Sequence, residues 1–585
     1  MKLQLMIALT LAAAAAGAGA GYHAINITSG RPDRIDFIAS EINRQHQTVG
    51  LDTFAPSMQF HVRPELDAIV ATNLATWRAI RAKVDGEAKL GILVQSSLGG
   101  HSGQVGPPEG WQRSEYLTGK VSQRTCVLEP KFHAYLKRTF KAIAEAKPAF
   151  ILVDDDFSTR KHECCCPLHL ALVSKALGRP VDKAELERVL CTRPLDDAEY
   201  VKATDAIYGA FEDLAREIRA AIDEVDPTLR CGICSGGCML GGLKRTALAL
   251  AGKTEPFIRF CNAVYGPQDP YTVIHSVAVA ERMRAFVEPI SDLLCEGDTY
   301  PHNAMSTPAA RFNAALANNA LSGIGGVKLW MSDFRHDSFR DSQHRYEAIY
   351  REWEGFRLEL LRLAREGIAW QGIAAVVFNP EIRLAPVKRD DGIDPWYEYP
   401  AMILAPYGLP VRYARPGAGG IFAVSAGEAK MLSKTERETL VKGPLILDPK
   451  CGDLFPERGE KTYVSEVSPA GAFYARYATP ARETFKAEVD KLAGGCLEMS
   501  LEIEQPAFVR HGVLKDGREL VAVTSLSADP LDALPFRLRR TPKAVEALGK
   551  DGAWSPVGFT RTADDIVTVK QSATLYAPVA LRFAF

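Results

Sequence analysis

Three consecutive carboxylates, Asp154-Asp155-Asp156, follow the apolar run Phe150-Ile151-Leu152-Val153 and precede Phe157. Adjacent like charges repel one another, and an uncompensated charge is costly to bury, so the triplet suits neither mid-strand nor core. Its place is a strand mouth, where something uses it. A second acidic run, Glu296-Gly297-Asp298, follows Asp292-Leu293-Leu294-Cys295 in the same manner. Two carboxylates facing a cleft are the minimal equipment for glycoside hydrolysis, one as acid/base and one as nucleophile or base. The triplet can equally cap the next helix or bind a structural cation. A third group is Cys164-Cys165-Cys166, with His169 just downstream and Cys126 upstream. Cys126, Cys164, Cys166 and His169 offer a closed tetrahedral zinc site of the structural kind. A loop held by a disulfide, or by nothing, is the alternative. Cys231-Gly232-Ile233-Cys234 has redox spacing without a thioredoxin context, and reads as small barrel-lining residues.

The elements that must position these groups alternate. Short apolar runs at 23–30, 54–62, 89–98, 149–157, 230–238, 258–266, 292–300 and 327–334 read as strands. Between them, apolar residues recur at helical spacing. Leu66, Ile69, Val70, Leu74, Trp77 and Ile80 share one face, and Phe132, Tyr135, Leu136, Phe140 and Ile143 share another. Eight strand–helix units predict an α/β fold, a (β/α)8 TIM barrel. A doubly wound open sheet is the rival. The Leu98-Gly99-Gly100-His101 turn lacks the glycine spacing of a dinucleotide site, which weakens that rival. In such barrels functional residues sit at the C-terminal ends of strands. The triplet then ends strand four and Glu296 ends strand seven. His101 after strand three, Tyr265 at strand six, and Trp330 and Asp333 at strand eight become substrate-binding candidates. Trp330 also fits an apolar core.

The chain has 585 residues, enough for two to four domains at roughly 150 residues each. Seventy Lys+Arg balance 71 Asp+Glu, which excludes a polybasic nucleic-acid arm or an acidic disordered tail as the main theme. Met1-Lys2, an apolar run and Ala18-Gly19-Ala20 form a signal peptide over 1–20, so a secreted or periplasmic location is expected. No later run is long enough to span a bilayer. The barrel is expected at 21–370. Short apolar strands at 373–378, 411–413, 421–424 and 445–447 predict a smaller α/β unit at 371–472. A β-sandwich is expected at 473–585, from strands at 507–514, 519–525, 536–538, 544–548, 566–569 and 580–585.

Acid/base at strand four and nucleophile at strand seven is the plan of clan A glycoside hydrolases. The chain resembles a divergent relative of the family 42 β-galactosidases within that clan. Those carry Asp-Asn-Glu-Tyr at strand four, then Cys-x-Cys-x-x-Cys opening the next helix. Here the text is Asp154-Asp155-Asp156-Phe157, then Cys164-Cys165-Cys166-Pro167-Leu168-His169. The resemblance implies a β-galactosidase-like glycosidase with Asp156 as acid/base and Glu296 as nucleophile. Asp155 falls at the Asn position that contacts the sugar 2-hydroxyl, beside Asp154. It also implies a structural zinc and no cofactor for catalysis, and a flavodoxin-like trimerisation domain followed by the β-sandwich, hence a homotrimer. The expected partner is a carbohydrate, with no nucleic acid and no membrane span. Two departures matter: Asp stands for Glu as the acid, and Asp for Asn beside it. The shorter side chain widens the carboxyl gap from the ~5–5.5 Å of retaining enzymes toward the ~6.5–9.5 Å of inverting ones, so retention is favoured and inversion is the alternative. Crowded carboxylates raise the pKa of at least one of the triplet, as a general acid requires. Two rivals remain. One is a catalytically silent carbohydrate-binding barrel. The other is a metal-dependent hydrolase with the triplet as ligands, weakened because an early His-x-His is missing.

Overall fold

The computed structural model describes residues 22–97, 106–158, 163–235, 242–265, 271–332, 340–379, 403–465, 482–495, 497–561, 563 and 565–585. The leader expected at 1–20 and the candidates His101 and Asp333 lie outside the described residues. Parallel strands β1 (His23–Ser29), β2 (Thr53–Gln59), β3 (Ile92–Gln95), β4 (Ile151–Val153), β5 (Cys231–Cys234), β6 (Phe257–Arg259), β7 (Asp292–Asp298) and β8 (Gly326–Trp330) pair in sequence. Both β8 and β2 also pair with β1, which closes the eight-stranded barrel. Each strand falls within an apolar run predicted from the sequence or overlaps it closely.

Helix α1 (Ile35–Val49), for which no stripe was predicted, buries Ile38 and Ile42 in the same core to which α2 (Leu66–Arg81) and α3 (Pro130–Glu145) turn their predicted apolar stripes, against the strands. The β4 connection is the longest and carries α4 (Pro167–Leu177), α5 (Lys183–Thr192) and α6 (Ala198–Asp223). Helices α7 (Leu243–Ala251), α8 (Thr272–Val287) and α9 (Ala309–Leu321) follow β5, β6 and β7. The two-residue period of the strands sorts their side chains. Ile27, Leu93, Leu152, Phe257 and Leu294 fill the barrel, whereas Ile151, Val153, Leu293 and Cys295 pack under the helices. Gly232 makes room for the Phe257 ring, which a Cβ there would meet at 2.5 Å. Phe257 meets Phe150 edge-on at 6.1 Å. The inside of the barrel is therefore apolar at its base. The same inward register, continued upward, reaches Asp154, Arg259, Glu296 and Lys328.

The chain leaves the barrel through α10 (Arg340–Glu352), α11 (Glu354–Glu366) and β9 (Ile368–Gln371). A parallel sheet follows, built from β10 (Ile373–Val376), β11 (Val411–Ala414), β12 (Phe422–Val424), β13 (Leu445–Leu447) and β14 (Thr462–Val464), with short helices α12 (Ala426–Lys430) and α13 (Lys434–Leu440). Its order, β11-β10-β12-β13-β14, is the 2-1-3-4-5 order of flavodoxin-like sheets. Helix α14 (Arg482–Leu492) stacks Phe485 on Tyr407 at 4.5 Å. It lies in the stretch expected to be purely β, where four apolar residues in eleven gave no strong stripe.

The C-terminal strands are β15 (Met499–Leu501), β16 (Ala507–Leu514), β17 (Glu519–Ser525), β18 (Leu534–Leu538), β19 (Ala544–Leu548), β20 (Trp554–Pro556), β21 (Phe559–Arg561), β22 (Ile566–Val569) and β23 (Pro578–Ala584). They form two sheets, β9-β16-β17-β23-β19-β20 and β15-β18-β22-β21, around a shared apolar core. β9 precedes the α/β sheet in the chain, yet it pairs antiparallel with β16. Consecutive residues of α8 reach both downstream units. Glu281 Oε1 accepts from Arg510 Nη2 at 2.8 Å, and Arg282 Nη2 lies 2.7 Å from Glu428 Oε1 on α12.

Candidate active site

At the C-terminal rim of the barrel, one guanidinium organises the carboxylates of β4 and β7. Arg259 ends β6 fully buried. Its Nη2 lies 3.0 Å from Asp154 Oδ1 and 3.3 Å from Asp155 Oδ2, and its Nη1 lies 2.8 Å from Glu296 Oε1. Lys328 on β8 stands opposite Glu296 in register and brings Nζ to 3.6 Å of the same oxygen. Cys261 donates its thiol to Asp155 Oδ2 at 2.9 Å and accepts from Arg259 Nη1 at 2.7 Å. One oxygen of Asp155, the Cys261 sulfur and one oxygen of Glu296 all lie within 4.8 Å of one another.

The triplet diverges. Asp154 continues the inward register, accepts from Gln95 on β3 and is pinned by Arg259. Asp155 is the member that reaches the mouth, with 22% of its side chain exposed. Asp156, the expected acid/base, accepts from the Ser96 backbone N–H at 3.2 Å and is not part of the Asp155–Cys261–Glu296 group. Asp155, one residue before the expected acid/base, is the member of the triplet grouped with Cys261 and Glu296; the strand's alternation ends at Asp154 and the chain turns there. Asp154 and Asp155 share the Arg259 guanidinium, whereas Asp156 takes the Ser96 N–H.

Electrostatics sets the charge states. Burial pushes the Glu296 carboxyl above its ordinary range, while Arg259 and Lys328 pull it back and Asp298 adds to the rise. Asp298 is likewise raised by burial against the pull of Lys328. Burial and Arg259 oppose the charge on Lys328, but the carboxylates of Glu296, Asp154 and Asp298 outweigh them and hold it above its usual value. The Lys328 ammonium also sits 5.1 Å from the Trp330 ring centre.

The expected sugar contacts divide. Tyr265 is exposed and its hydroxyl bonds to Asp298. Trp330 is half-buried and stacks on His302 at 5.7 Å, with the His302 ring edge-on to the exposed Tyr300 at 5.9 Å. Arg259, Lys328, Cys261 and Gln95 escaped the sequence reading. The available signal was a cation within each of two apolar strands, Phe257-Ile258-Arg259 and Val327-Lys328-Leu329. A charge on the inward face of a barrel strand must be answered by an opposite one.

Cys126, Cys164, Cys166 and His169 do come together, with all four donor atoms within 4.8 Å of one another. Cys126 and Cys166 sulfurs are 3.4 Å apart, and His169 Nδ1 lies 3.3 Å and 3.6 Å from them. Tetrahedral zinc requires about 3.8 Å between sulfurs and about 3.5 Å from sulfur to nitrogen. All four side chains are buried, and His169 Nε2 has no partner among the described residues, which leaves Nδ1 as the ligand atom. The donor set fits zinc. Cys165 is directed elsewhere, its thiol donating to the Glu115 carbonyl.

No protein-family model matches the chain, and no curated protein matches it. Among solved structures, the β-galactosidase of the psychrophilic Marinomonas ef1 aligns over 94% of this chain and 100% of its own, at TM-score 0.52 and 10% identity. The exo-β-1,4-mannosidase Op5Man5 of Opitutaceae bacterium strain TAV5 aligns over 94% and 92%, at TM-score 0.40 and 13% identity. A GH27 β-L-arabinopyranosidase of Geobacillus stearothermophilus aligns over 98% of each chain, at TM-score 0.36 and 8% identity. The fold is that of the Marinomonas enzyme, barrel and appended sheets together. Among the described residues no helix is long and apolar enough to cross a membrane.

Proposed function

We propose that the protein is a glycoside hydrolase in which Glu296 is the nucleophile and Asp155 the acid/base. The observation that carries this is the close approach of Asp155 and Glu296 across the barrel mouth, within 4.8 Å and bridged by Arg259. Oxygens that approach within 4.8 Å leave less room than the ~6.5–9.5 Å gap of inverting enzymes, which supports retention. Glu296 attacks the anomeric carbon as Asp155 gives its proton to the departing glycosidic oxygen. A water then passes its proton to Asp155 and attacks the same carbon, which releases Glu296 and returns a sugar of the original configuration. Arg259 and Lys328 keep Glu296 available as the anion against the effect of burial. Asp154 and Asp156 hold the turn, and Tyr265 and Trp330 line the sugar site.

β-Galactosides are the first substrates to try, because a β-galactosidase shares this fold from end to end. The leader-like start supports export, and the resemblance of the α/β unit to a trimerisation domain supports a homotrimer. A screen of aryl glycosides with and without chelator tests the reading. Turnover that is lost in Glu296→Ala with zinc still bound supports it. Chelator-sensitive turnover that tolerates Glu296→Ala would overturn it in favour of metal-dependent hydrolysis.

The Cys126, Cys164, Cys166 and His169 site is proposed to hold one zinc. When bound, the metal would tie the segment before α3 to the N-terminus of α4, with all four positions closed by protein ligands and none left for substrate. Its contribution is to the order of these segments, with no bond to the reacting atoms.

A further inference from the structure

Two chain segments supply the metal ligands, and the same two segments are joined a second time by a buried ion pair. Arg124 lies two residues before Cys126, and Glu163 immediately precedes Cys164. Arg124 Nη1 donates to Glu163 Oε2 at 3.1 Å, with both side chains at most 4% exposed. The other terminal nitrogen, Nη2, donates to the backbone carbonyls of Asp156 and Ser158, each at 2.6 Å. Ser158 Oγ in turn donates to the Asp155 carbonyl at 2.8 Å. A cavity of about 10 Å3, room for about one water, has His169, Glu163, Arg124 and Ser158 among its lining residues.

We propose that Arg124 is a positioning residue that couples the metal site to the turn carrying Asp155. The inference rests on reading Asp155 as the acid/base. A guanidinium presents donors in a rigid planar fork, so fixing one arm on Glu163 fixes where the other arm holds the two carbonyls. Glu163 is fixed in turn by the adjacent Cys164 ligand. An occupied metal site therefore clamps both sides of the arginine, and the turn after β4 inherits that order. Without the metal, the 124–126 and 163–166 segments keep the ion pair and a shared strand at 113–115, which pairs with Thr125 and accepts from the Cys165 N–H, but lose the ligand bonds that fix Cys126 and Cys164.

Hydrogen–deuterium exchange of the full-length protein tests this without relying on turnover. Zinc-loaded wild type, chelator-stripped wild type, zinc-loaded Arg124→Ala and zinc-loaded Arg124→Lys are compared, with bound zinc counted in each by colorimetric titration. Stripping zinc should raise exchange across 151–158 by at least about tenfold, while β16 and β17 in the distant sheet stay unchanged. Arg124→Ala should reproduce that rise with one zinc still bound. Arg124→Lys, which keeps the charge without the fork, should fall between the two. On any aryl glycoside that the wild type cleaves, Arg124→Lys should lower kcat and leave KM unchanged. The proposal is overturned if the wild type takes up no zinc, if stripping leaves 151–158 as protected as before, or if exchange rises equally in β16 and β17. Should Arg124→Ala fail to fold, wild-type protection in zinc-loaded Arg124→Lys is the overturning result. A wild type that exchanges as expected but cleaves no glycoside would overturn the proposed reaction and leave the coupling intact.

Discussion

Arg259 Nη1 stands 2.8 Å from Glu296 Oε1, at the level where the apolar filling of the barrel gives way to charge. The same side chain reaches Asp154 and Asp155, so one buried cation spans β4, β6 and β7. This gives the two proposed reactive carboxylates a shared reference point in a fold whose strands otherwise present them independently. Breaking a buried charge pair by removing one partner is strongly destabilising, so Arg259 also commits the mouth to this arrangement.

The division of labour within the triplet is open to direct test. Asp155→Asn should lower kcat/KM by about 10²–10⁴-fold for substrates with poor leaving groups, the usual worth of a general acid. The loss should shrink for a dinitrophenyl glycoside, whose leaving group departs without a proton. Asp156→Asn keeps an acceptor for the Ser96 N–H and should show no such dependence on leaving group. Steady-state rates across an aryl-glycoside series read both.

The acidic limb of the pH profile should belong to Glu296. It must be ionised to attack, and burial lifts its pKa above the ordinary 4.5. Activity should therefore fall as pH drops through a value above 4.5. Lys328→Met removes a cation that favours the anion, so the limb should move to higher pH. A limb that stays in place in Lys328→Met would assign it to another group.

Zinc should be present at one per chain and should support stability without touching the substrate. Cys126→Ala removes a ligand from a buried site and should lower zinc content and reduce Tm by about 5 °C or more, as loss of a few kcal/mol does in a large domain. Metal analysis and calorimetry on the same preparation check this.

Arg282 and Glu428 form a fully buried pair between α8 and the α/β unit. Burial alone lifts Glu428, and even with Arg282 opposing that effect its pKa is raised to about 7. Arg282→Ala should cost about 3–5 kcal/mol, because it leaves the carboxylate buried without its partner. The double variant Arg282→Met/Glu428→Gln should recover much of that loss. Chemical denaturation of the three proteins measures the difference.

The barrel was legible because each strand is a short apolar run between amphipathic helices, a pattern that local sequence states directly. The mouth was legible in part. Glu296 follows its strand in uninterrupted alternation, so its position could be counted. Asp155 and Asp156 could not be separated that way, because the inward register ends at Asp154 and the turn beyond it is held by Ser96 and Arg124, both distant in sequence. Arg259 and Lys328 were visible as charges in apolar strands, but their purpose depends on carboxylates from other strands. Cys126 and His169 gathered as their spacing implied. β9 was missed as part of the C-terminal sheet, since its partner β16 lies more than a hundred residues downstream.

The most direct test of the central claim is covalent trapping. A 2,4-dinitrophenyl 2-deoxy-2-fluoro-β-glycoside of the sugar that the wild type cleaves should slow deglycosylation and leave the sugar on the enzyme. Peptide mass spectrometry should then find one label per chain, on Glu296. Label on Asp155, or no label on an enzyme that turns over the parent glycoside, would contradict the account.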